Sequence, residues 1–192
     1  IADRQARRWA EKPVRPAAGG TLLMIGLGPI GQAIARLAGL IGMRVVGLSR
    51  SGGSVDGIER VYRAEALHEA LARADAVVLA IPLTEASRGL VDAAAIAAMK
   101  PDALLINMAR GHIVDEAALA KALGAGRLRG AVVDVFSSEP LDPASPLWDL
   151  DNAILTPHVS SVWDGWQRAA AEIFIDNLRR YRAGGPLANL VD

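Results

Sequence analysis

The chain has 192 residues, 52% of them hydrophobic, and its 21 basic and 21 acidic side chains give a formal net charge of zero. This balance offers no attraction to nucleic acid or to an anionic membrane, and we expect neither as a partner. Cysteine is absent, which excludes disulfides, thiolate metal sites and a cysteine nucleophile; no metal site is predicted. Because there is no signal peptide and no apolar run long enough to span a membrane, we expect a cytoplasmic protein.

The first segment, residues 2–12, has an arginine-rich helical composition, and a stretch rich in proline and glycine connects it to the first strand. The chain begins at Ile1 and not at a methionine. We therefore expect that further sequence precedes it.

A short apolar run from Thr21 leads into the motif Gly26-Leu27-Gly28-Pro29-Ile30-Gly31, which predicts a strand, a tight turn and a helix. In such a motif Gly26 permits the turn, Gly28 lets a pyrophosphate approach the backbone, and Gly31 lets the helix pack closely. The helix N-terminus supplies amides and a positive dipole to the phosphate. The motif predicts a dinucleotide site; a purely structural turn is the alternative.

The helix after this turn is predicted to be amphipathic and to end near Gly42, because its apolar residues recur at helical spacing. These residues are Ile30, Ala33, Ile34, Leu37, Ala38 and Ile41.

The second predicted strand, 43–48, leads into Ser49-Arg50-Ser51. At this position a site for NAD uses a carboxylate to bind the ribose hydroxyls, whereas a guanidinium flanked by hydroxyls suits the additional 2′-phosphate of NADP. NADP is therefore the predicted cofactor, with NAD possible. The alternative for Arg50 is a solvated loop charge.

The rest of the chain alternates between predicted strands and helices. Strands are expected near 59–62 and at the apolar runs 76–81, 103–106 and 130–135, and helices at 64–73, 92–99 and 115–123. The longer runs lack polar alternation, as expected for strands that helices cover on both faces. The pattern predicts an α/β fold with a doubly wound parallel sheet of the Rossmann type.

A last helix is predicted at about 162–182, with an apolar stripe that belongs to a core or an interface. Trp166 begins this stripe.

In a doubly wound sheet, ligands bind outside the carboxyl ends of the strands. Polar residues cluster at the predicted strand ends in four segments, which are 82–84, 107–111, 134–140 and 156–158. A substrate site is therefore expected at this edge.

Three of these segments supply Arg110, Glu139 and His158, which together suit the reduction of a carbonyl beside a carboxylate. Arg110 can bind the carboxylate through two parallel hydrogen bonds. A histidine such as His158 can donate the proton that the carbonyl oxygen needs as hydride reaches the carbon. Glu139 could hold the imidazole in one tautomer. Isolated histidines are more often surface or core residues, which is the alternative interpretation.

The glycine turn and the stretches 106–111, 134–141 and 155–159 together resemble the D-isomer-specific 2-hydroxyacid dehydrogenases, in the order and spacing of that family. The resemblance implies that Arg110 binds the substrate carboxylate, that Glu139 pairs with His158, that His158 is the acid/base, and that Asp134 receives the nicotinamide carboxamide. The cofactor site it implies contains Gly26, Gly28, Pro29, Ile30, Gly31, Ser49, Arg50, Ser51, Pro82, Ser87, Met108, Ala109, Arg110, Asp134, His158 and Ser160.

Two departures from the family pattern matter. The segment Ser49-Arg50-Ser51 replaces the acidic residue of the NAD-preferring members and is similar to the NADPH-using glyoxylate and hydroxypyruvate reductases. The N-terminal part of the family's substrate domain is absent. We therefore expect a crossover helix and linker at 1–20, the dinucleotide-binding domain at 21–161, and a C-terminal crossover helix and tail at 162–192.

The predicted function is reduction of a small 2-oxo acid to a D-2-hydroxy acid, with the chain inactive by itself and forming a homodimer. A cofactor-sensing corepressor that shares this fold and the same three residues is the alternative. Formate dehydrogenases are a second relative, although they are expected to carry an amide at the position of Glu139.

Overall fold

The computed structural model describes residues 7, 9, 11 and 14–190. Apart from residues 7, 9 and 11, the helix predicted over 2–12 lies outside the described residues. The described chain forms two compact units, Ile1–His158 and Val159–Asp192.

The described residues of the first unit form one parallel sheet of seven strands in the order β3-β2-β1-β4-β5-β6-β7. The predicted doubly wound parallel sheet is therefore confirmed. The strands are β1 (Thr21–Ile25), β2 (Arg44–Ser49), β3 (Arg60–Arg63), β4 (Ala76–Leu79), β5 (Leu104–Asn107), β6 (Gly130–Val133) and β7 (Ala153–Leu155). The helices of this unit are α1 (Pro29–Leu40), α2 (Leu67–Arg73), α3 (Ala93–Ala98) and α4 (Glu116–Gly124).

Strand β1 shows why the apolar runs lack alternation. Leu23 and Ile25 belong to a core cluster on one face of the sheet, with residues of α2, α3 and α4. Leu22 and Met24 belong to a second cluster, with residues of α1. Because both faces are covered, all five residues of the strand are buried, and all except Thr21 are apolar.

Helix α1 turns its small residues to the sheet. Gly31, Ala35 and Ala38 are its buried positions, whereas Ile30 and Leu37 are more than half exposed. Some residues of the predicted apolar stripe are therefore buried and others exposed, because the helix packs so closely that only small side chains fit beneath it. Helix α1 ends at Leu40, just before Gly42 as predicted, and Gly42 has a φ of +84°.

At the amino end of the sheet, Asp75 joins three segments. Its Oδ2 accepts a hydrogen bond of 2.8 Å from the backbone N–H of Thr21, and its Oδ1 accepts one of 2.9 Å from Lys100 Nζ. Burial raises the pKa of the Asp75 carboxyl, but the hydrogen bonds from Lys100 and Thr21 and the nearby positive charge outweigh it, so the pKa lies below its ordinary value. The starts of β1 and β4 are thus held together by one ionised side chain.

Strand β7 is a finding beyond the sequence patterns, which marked only its last residue, Leu155, and the segment that follows it. Its three residues pair with β6 at the sheet edge, and none of them is fully buried. A run of three apolar residues is too short to predict a strand.

The second unit contains α5 (Trp166–Arg182), which begins four residues later than the predicted bound of 162. The Asn177 side chain exchanges two hydrogen bonds with the backbone of Ala188, so the tail folds back on this helix. No helix within the described ranges is both long enough and apolar enough to cross a bilayer.

Candidate active site

The glycine turn after β1 combines two crowded glycines with an open one. A Cβ on Gly26, whose φ is +99°, would overlap the carbonyl oxygen of Ala80, and a Cβ on Gly31 would overlap that of Gly26. Gly28 has no such neighbour within 4 Å. The turn is therefore packed against the end of β4 on one side and leaves its backbone accessible at Gly28.

The N-terminus of α1 offers free backbone donors at this open glycine. Gly28 is the N-cap and supplies no side chain to the first amides, and Pro29 occupies the first helical turn. The first N–H groups of a helix have no partner within the helix, and the helix dipole favours an anion there. These features fit the pyrophosphate of a dinucleotide.

A cleft of about 530 Å³ begins at this turn and continues to the end of β2, where it is lined by Ser49, Arg50, Ser51 and Gly52. Ser49 Oγ accepts a hydrogen bond of 3.1 Å from the Gly52 N–H, which shapes the loop. Within the described part of the chain, Arg50 makes no hydrogen bond or ion pair. Its guanidinium and the neighbouring hydroxyls fit a phosphate on the adenosine ribose.

Pro82 and Ser87 line the opposite side of the cleft, after β4. The Ser87 hydroxyl donates a hydrogen bond of 2.8 Å to the Pro82 carbonyl and accepts another of 2.8 Å from the Thr84 N–H. Ser87 is 7% exposed. Its hydroxyl thus shapes the loop, so any contribution of Ser87 to cofactor binding comes through that loop.

The loop after β5 is fixed by Asn107. Its Oδ1 accepts from the Ala109 N–H at 3.1 Å, and its Nδ2 donates to the Arg110 carbonyl at 3.2 Å. A Cβ on Gly111 would overlap the backbone of Phe136 and Ser137. The loop that carries Arg110 therefore packs directly against the segment that follows β6.

That segment places Glu139 beside His158. Glu139 Oε1 accepts a hydrogen bond of 2.9 Å from the Phe136 N–H, and its Oε2 lies 2.8 Å from His158 Nδ1. The backbone N–H of His158 donates a hydrogen bond of 2.8 Å to the Asp134 carbonyl. Thr156 Oγ1 donates a hydrogen bond of 2.6 Å to Asp134 Oδ1. Glu139 is thus held by a backbone N–H of the loop after β6, and His158 by the carbonyl of Asp134, which directly follows β6.

His158 has a φ of +54°, a left-handed conformation that a residue with a side chain seldom adopts. Side chains held in this region are concentrated at functional sites. The hydrogen bond from its N–H to the Asp134 carbonyl and the contact of its Nδ1 with Glu139 hold the residue in this conformation.

The pKa of the Glu139 carboxyl is lowered, first by its hydrogen bond with His158 and then by the one from the Phe136 N–H. An ionised carboxylate only accepts hydrogen bonds, so Nδ1 of His158 carries the proton that lies between them. Nε2 is then the ring nitrogen that can exchange a proton with a substrate.

The structure brings most of the predicted site residues to one edge of the sheet. The glycine turn, Arg50, Pro82, the 107–111 loop, Asp134, Glu139 and His158 all follow carboxyl ends of strands. Asp134 is 4% exposed. Ser160 belongs to the second unit, and its part in the site stays a prediction.

Glu116, at the start of α4, was not identified from the sequence. Its Oε1 accepts a hydrogen bond from the Ser137 N–H, within the segment that positions Glu139. A glutamate in the first turn of a helix has an ordinary role beside the helix dipole, so no local pattern distinguishes Glu116 from other glutamates at this position.

No group of three or more histidine, aspartate or glutamate side chains that could hold a metal ion occurs among the described residues. The arrangement suits a cofactor with phosphate groups and an acid/base pair.

A protein-family model described as D-isomer specific 2-hydroxyacid dehydrogenase, NAD binding domain, matches residues 2–160. The chain is 44% identical over 163 residues to an (S)-sulfolactate dehydrogenase of Chromohalobacter salexigens, covering 84% of this chain and 53% of that protein. It spans about half the length of the curated relatives that it matches.

Two solved structures match this chain over its whole length, and the match covers 61% of each of those two chains. A probable 2-hydroxyacid dehydrogenase from Rhizobium etli, in complex with NADP, HEPES and tartaric acid, gives a TM-score of 0.91 at 31% identity. An NADPH-dependent glyoxylate/hydroxypyruvate reductase from Sinorhizobium meliloti, in complex with NADP and sulfate, gives 0.90 at 34% identity.

Proposed function

The chain belongs to the D-isomer-specific 2-hydroxyacid dehydrogenase family, and we propose that it is the cofactor-binding part of an NADPH-dependent reductase of small 2-oxo acids. The observation that carries the proposal is the contact of 2.8 Å between Glu139 Oε2 and His158 Nδ1. This pair lies at the same sheet edge as the open glycine turn.

In the proposed reaction a nicotinamide held at this edge of the sheet would supply the hydride that the carbonyl carbon receives. His158 donates a proton from Nε2 to the carbonyl oxygen, and the ketone becomes a hydroxyl group. Glu139 stabilises the protonated imidazole and keeps Nε2 as the donor atom. Asp134 is buried beside this pair and is proposed to accept from the nicotinamide carboxamide.

Arg110 is the proposed binding residue for the substrate carboxylate, because a guanidinium can donate two parallel hydrogen bonds to it. Arg110 Nη1 donates a hydrogen bond of 2.6 Å to the Ala109 carbonyl. Nη2 and Nε make no hydrogen bond to another described residue, and they are the groups proposed to bind the substrate.

We propose NADP(H) as the preferred cofactor because Arg50 lines the cleft and makes no hydrogen bond or ion pair within the described part of the chain. Fluorescence titration of the chain should show NADPH binding about ten- to a hundredfold more tightly than NADH, as expected for hydrogen bonds to a charged group. Arg50→Ala should remove most of the difference and leave NADH binding unchanged. Equal affinities in the wild-type chain would contradict the preference.

The reductase activity itself is tested with the chain joined to a substrate domain of the family, as oxidation of NADPH by glyoxylate or hydroxypyruvate. Turnover that saturates with the 2-oxo acid supports the proposal. Cofactor binding without turnover of any 2-oxo acid would favour the sensing corepressor instead.

We also propose a homodimer, supported by apolar side chains of α1 that are left exposed, including Leu37 (64%) and Leu40 (83%). Light scattering of the purified chain at several concentrations tests this state. The cytoplasmic location expected from the sequence stays a proposal, and fractionation of the source cells tests it.

A further inference from the structure

Arg63 ends the strand beside the proposed ribose site. Strand β3 pairs in parallel with β2, and the register places Arg63 next to Ser49. Ser49 precedes Arg50, and the following residue, Ala64, lines the same cleft as Arg50. Two arginines therefore leave two adjacent strands at the carboxyl edge of the sheet.

The Arg63 side chain extends along the loop that holds Arg50. From the position that a Cβ on Gly52 would occupy, Arg63 Cγ is 3.2 Å away and its Nε is 3.3 Å away. Gly52 has a φ of +67° and lines the cleft. The absence of a side chain at this position thus leaves room for the Arg63 side chain against the loop.

Arg63 is exposed and makes no hydrogen bond or ion pair within residues 14–190. Arg60 begins the same strand and differs in this respect. Its guanidinium lies 4.3 Å from the centre of the Tyr62 ring and 3.5 Å from Glu69 Oε1. The charge of Arg63 therefore has no structural partner in the part of the chain that is described.

We propose that Arg63 is a second binding residue for the 2′-phosphate of NADP(H), acting with Arg50. The inference rests on the proposed function. A phosphate monoester carries nearly two negative charges at pH 7 and has three acceptor oxygens, more than one guanidinium can satisfy. Two arginines from adjacent strands supply two positive charges and up to ten N–H donors to it.

The test is a titration of NADPH and NADH into the chain and its variants. Arg63→Ala should weaken NADPH binding about three- to thirtyfold and change NADH binding less than twofold, because only NADPH carries the phosphate. Arg63→Lys should keep most of the NADPH affinity, since a lysine retains the charge. The matched control is Arg60→Ala, which removes a cation from the same strand and should change neither affinity.

Adenosine 2′,5′-bisphosphate and 5′-AMP separate the phosphate from the rest of the cofactor. Arg63→Ala should weaken binding of the bisphosphate and leave that of 5′-AMP unchanged. Equal losses for both ligands would mean that Arg63 only supports the loop, and the proposal would be wrong. If Arg63→Ala keeps the full NADPH preference of the wild-type chain, this proposal alone is overturned. If the wild-type chain binds neither dinucleotide, the proposed function is overturned as well.

Discussion

Glu139 and His158 lie 19 positions apart in the sequence and meet at 2.8 Å through Oε2 and Nδ1. The side chains are 37% and 42% exposed, respectively. The pair is therefore open to solvent on one side, while backbone hydrogen bonds from β6 and its following loop fix its geometry.

The pair gives a pH dependence of stability. Because the Glu139 pKa is lowered in the folded chain, its stabilising contribution is complete above the ordinary glutamate pKa of about 4.3 and is lost as the pH falls through the lowered value. Urea unfolding between pH 3 and 7 should show a smaller loss of stability in acid for Glu139→Gln than for the wild-type chain. A difference between the two that stays constant with pH would contradict the assignment.

Replacement of His158 should separate chemistry from cofactor binding. In the chain joined to a substrate domain, His158→Ala should lower kcat about a hundred- to ten-thousandfold, which is the usual contribution of general acid catalysis. NADPH affinity should remain within about twofold of the wild-type value. Arg110→Ala should lower kcat and should also raise KM for the 2-oxo acid. Wild-type turnover in His158→Ala would refute the acid/base role.

The close contact at Gly111 predicts a strong effect of one methyl group. Gly111→Ala would place a Cβ into the backbone of Phe136 and Ser137, and it should lower the free energy of unfolding by about 1–3 kcal/mol. Gly39→Ala is the matched control, because Gly39 lies in α1 with open space around it. That substitution should raise the free energy of unfolding by about 0.5–1 kcal/mol. Denaturant titration measures both changes.

Glu116 offers a test of positioning at a distance from the reacting atoms. Glu116→Gln keeps the size of the side chain but weakens its acceptor for the Ser137 N–H, so the segment that carries Glu139 should be less firmly held. In the chain joined to a substrate domain, we expect kcat to fall about two- to tenfold with unchanged NADPH affinity. A change in stability with wild-type kcat would show that Glu116 has a structural role only.

The chain by itself should bind the dinucleotide and turn over 2-oxo acids at most very slowly. A doubly wound sheet has its own core and should fold without a neighbouring domain. Alignment of carbonyl and hydride donor, and exclusion of water, need an opposite wall to the cleft. The check is NADPH oxidation by the chain in the presence of glyoxylate, and substrate-saturable activity comparable to that of the chain joined to a substrate domain would contradict the expectation.

The sequence predicted those parts of the molecule that depend on local patterns. The buried strands were recognisable because both their faces are covered, and Gly26 and Gly31 had the spacing of a phosphate-binding turn. The end of α1 at Leu40, just before Gly42, follows an equally local rule.

Features that depend on contacts between distant segments were not predictable. The approach of Gly111 to Phe136, the hydrogen bond of Glu116 to Ser137 and the position of Arg63 against Gly52 each join residues from different loops or strands. Nothing in the local pattern of these residues distinguishes them from ordinary loop or helix residues. The division of the α1 stripe is of the same kind, because only the packing distance decides which residues fit beneath the helix.

The hydrogen bonds of Asp75 to Thr21 and Lys100 occupy the edge of the sheet opposite to the candidate site. Evolution can therefore adjust the thermal tolerance of the protein at one edge while substrate and cofactor preferences change at the other. A laboratory selection for heat resistance that varies only the surroundings of Asp75 would leave the loops after the strands untouched. The stability of the sheet could then be altered from this edge without a substitution in the loops that carry Arg110, Glu139 and His158.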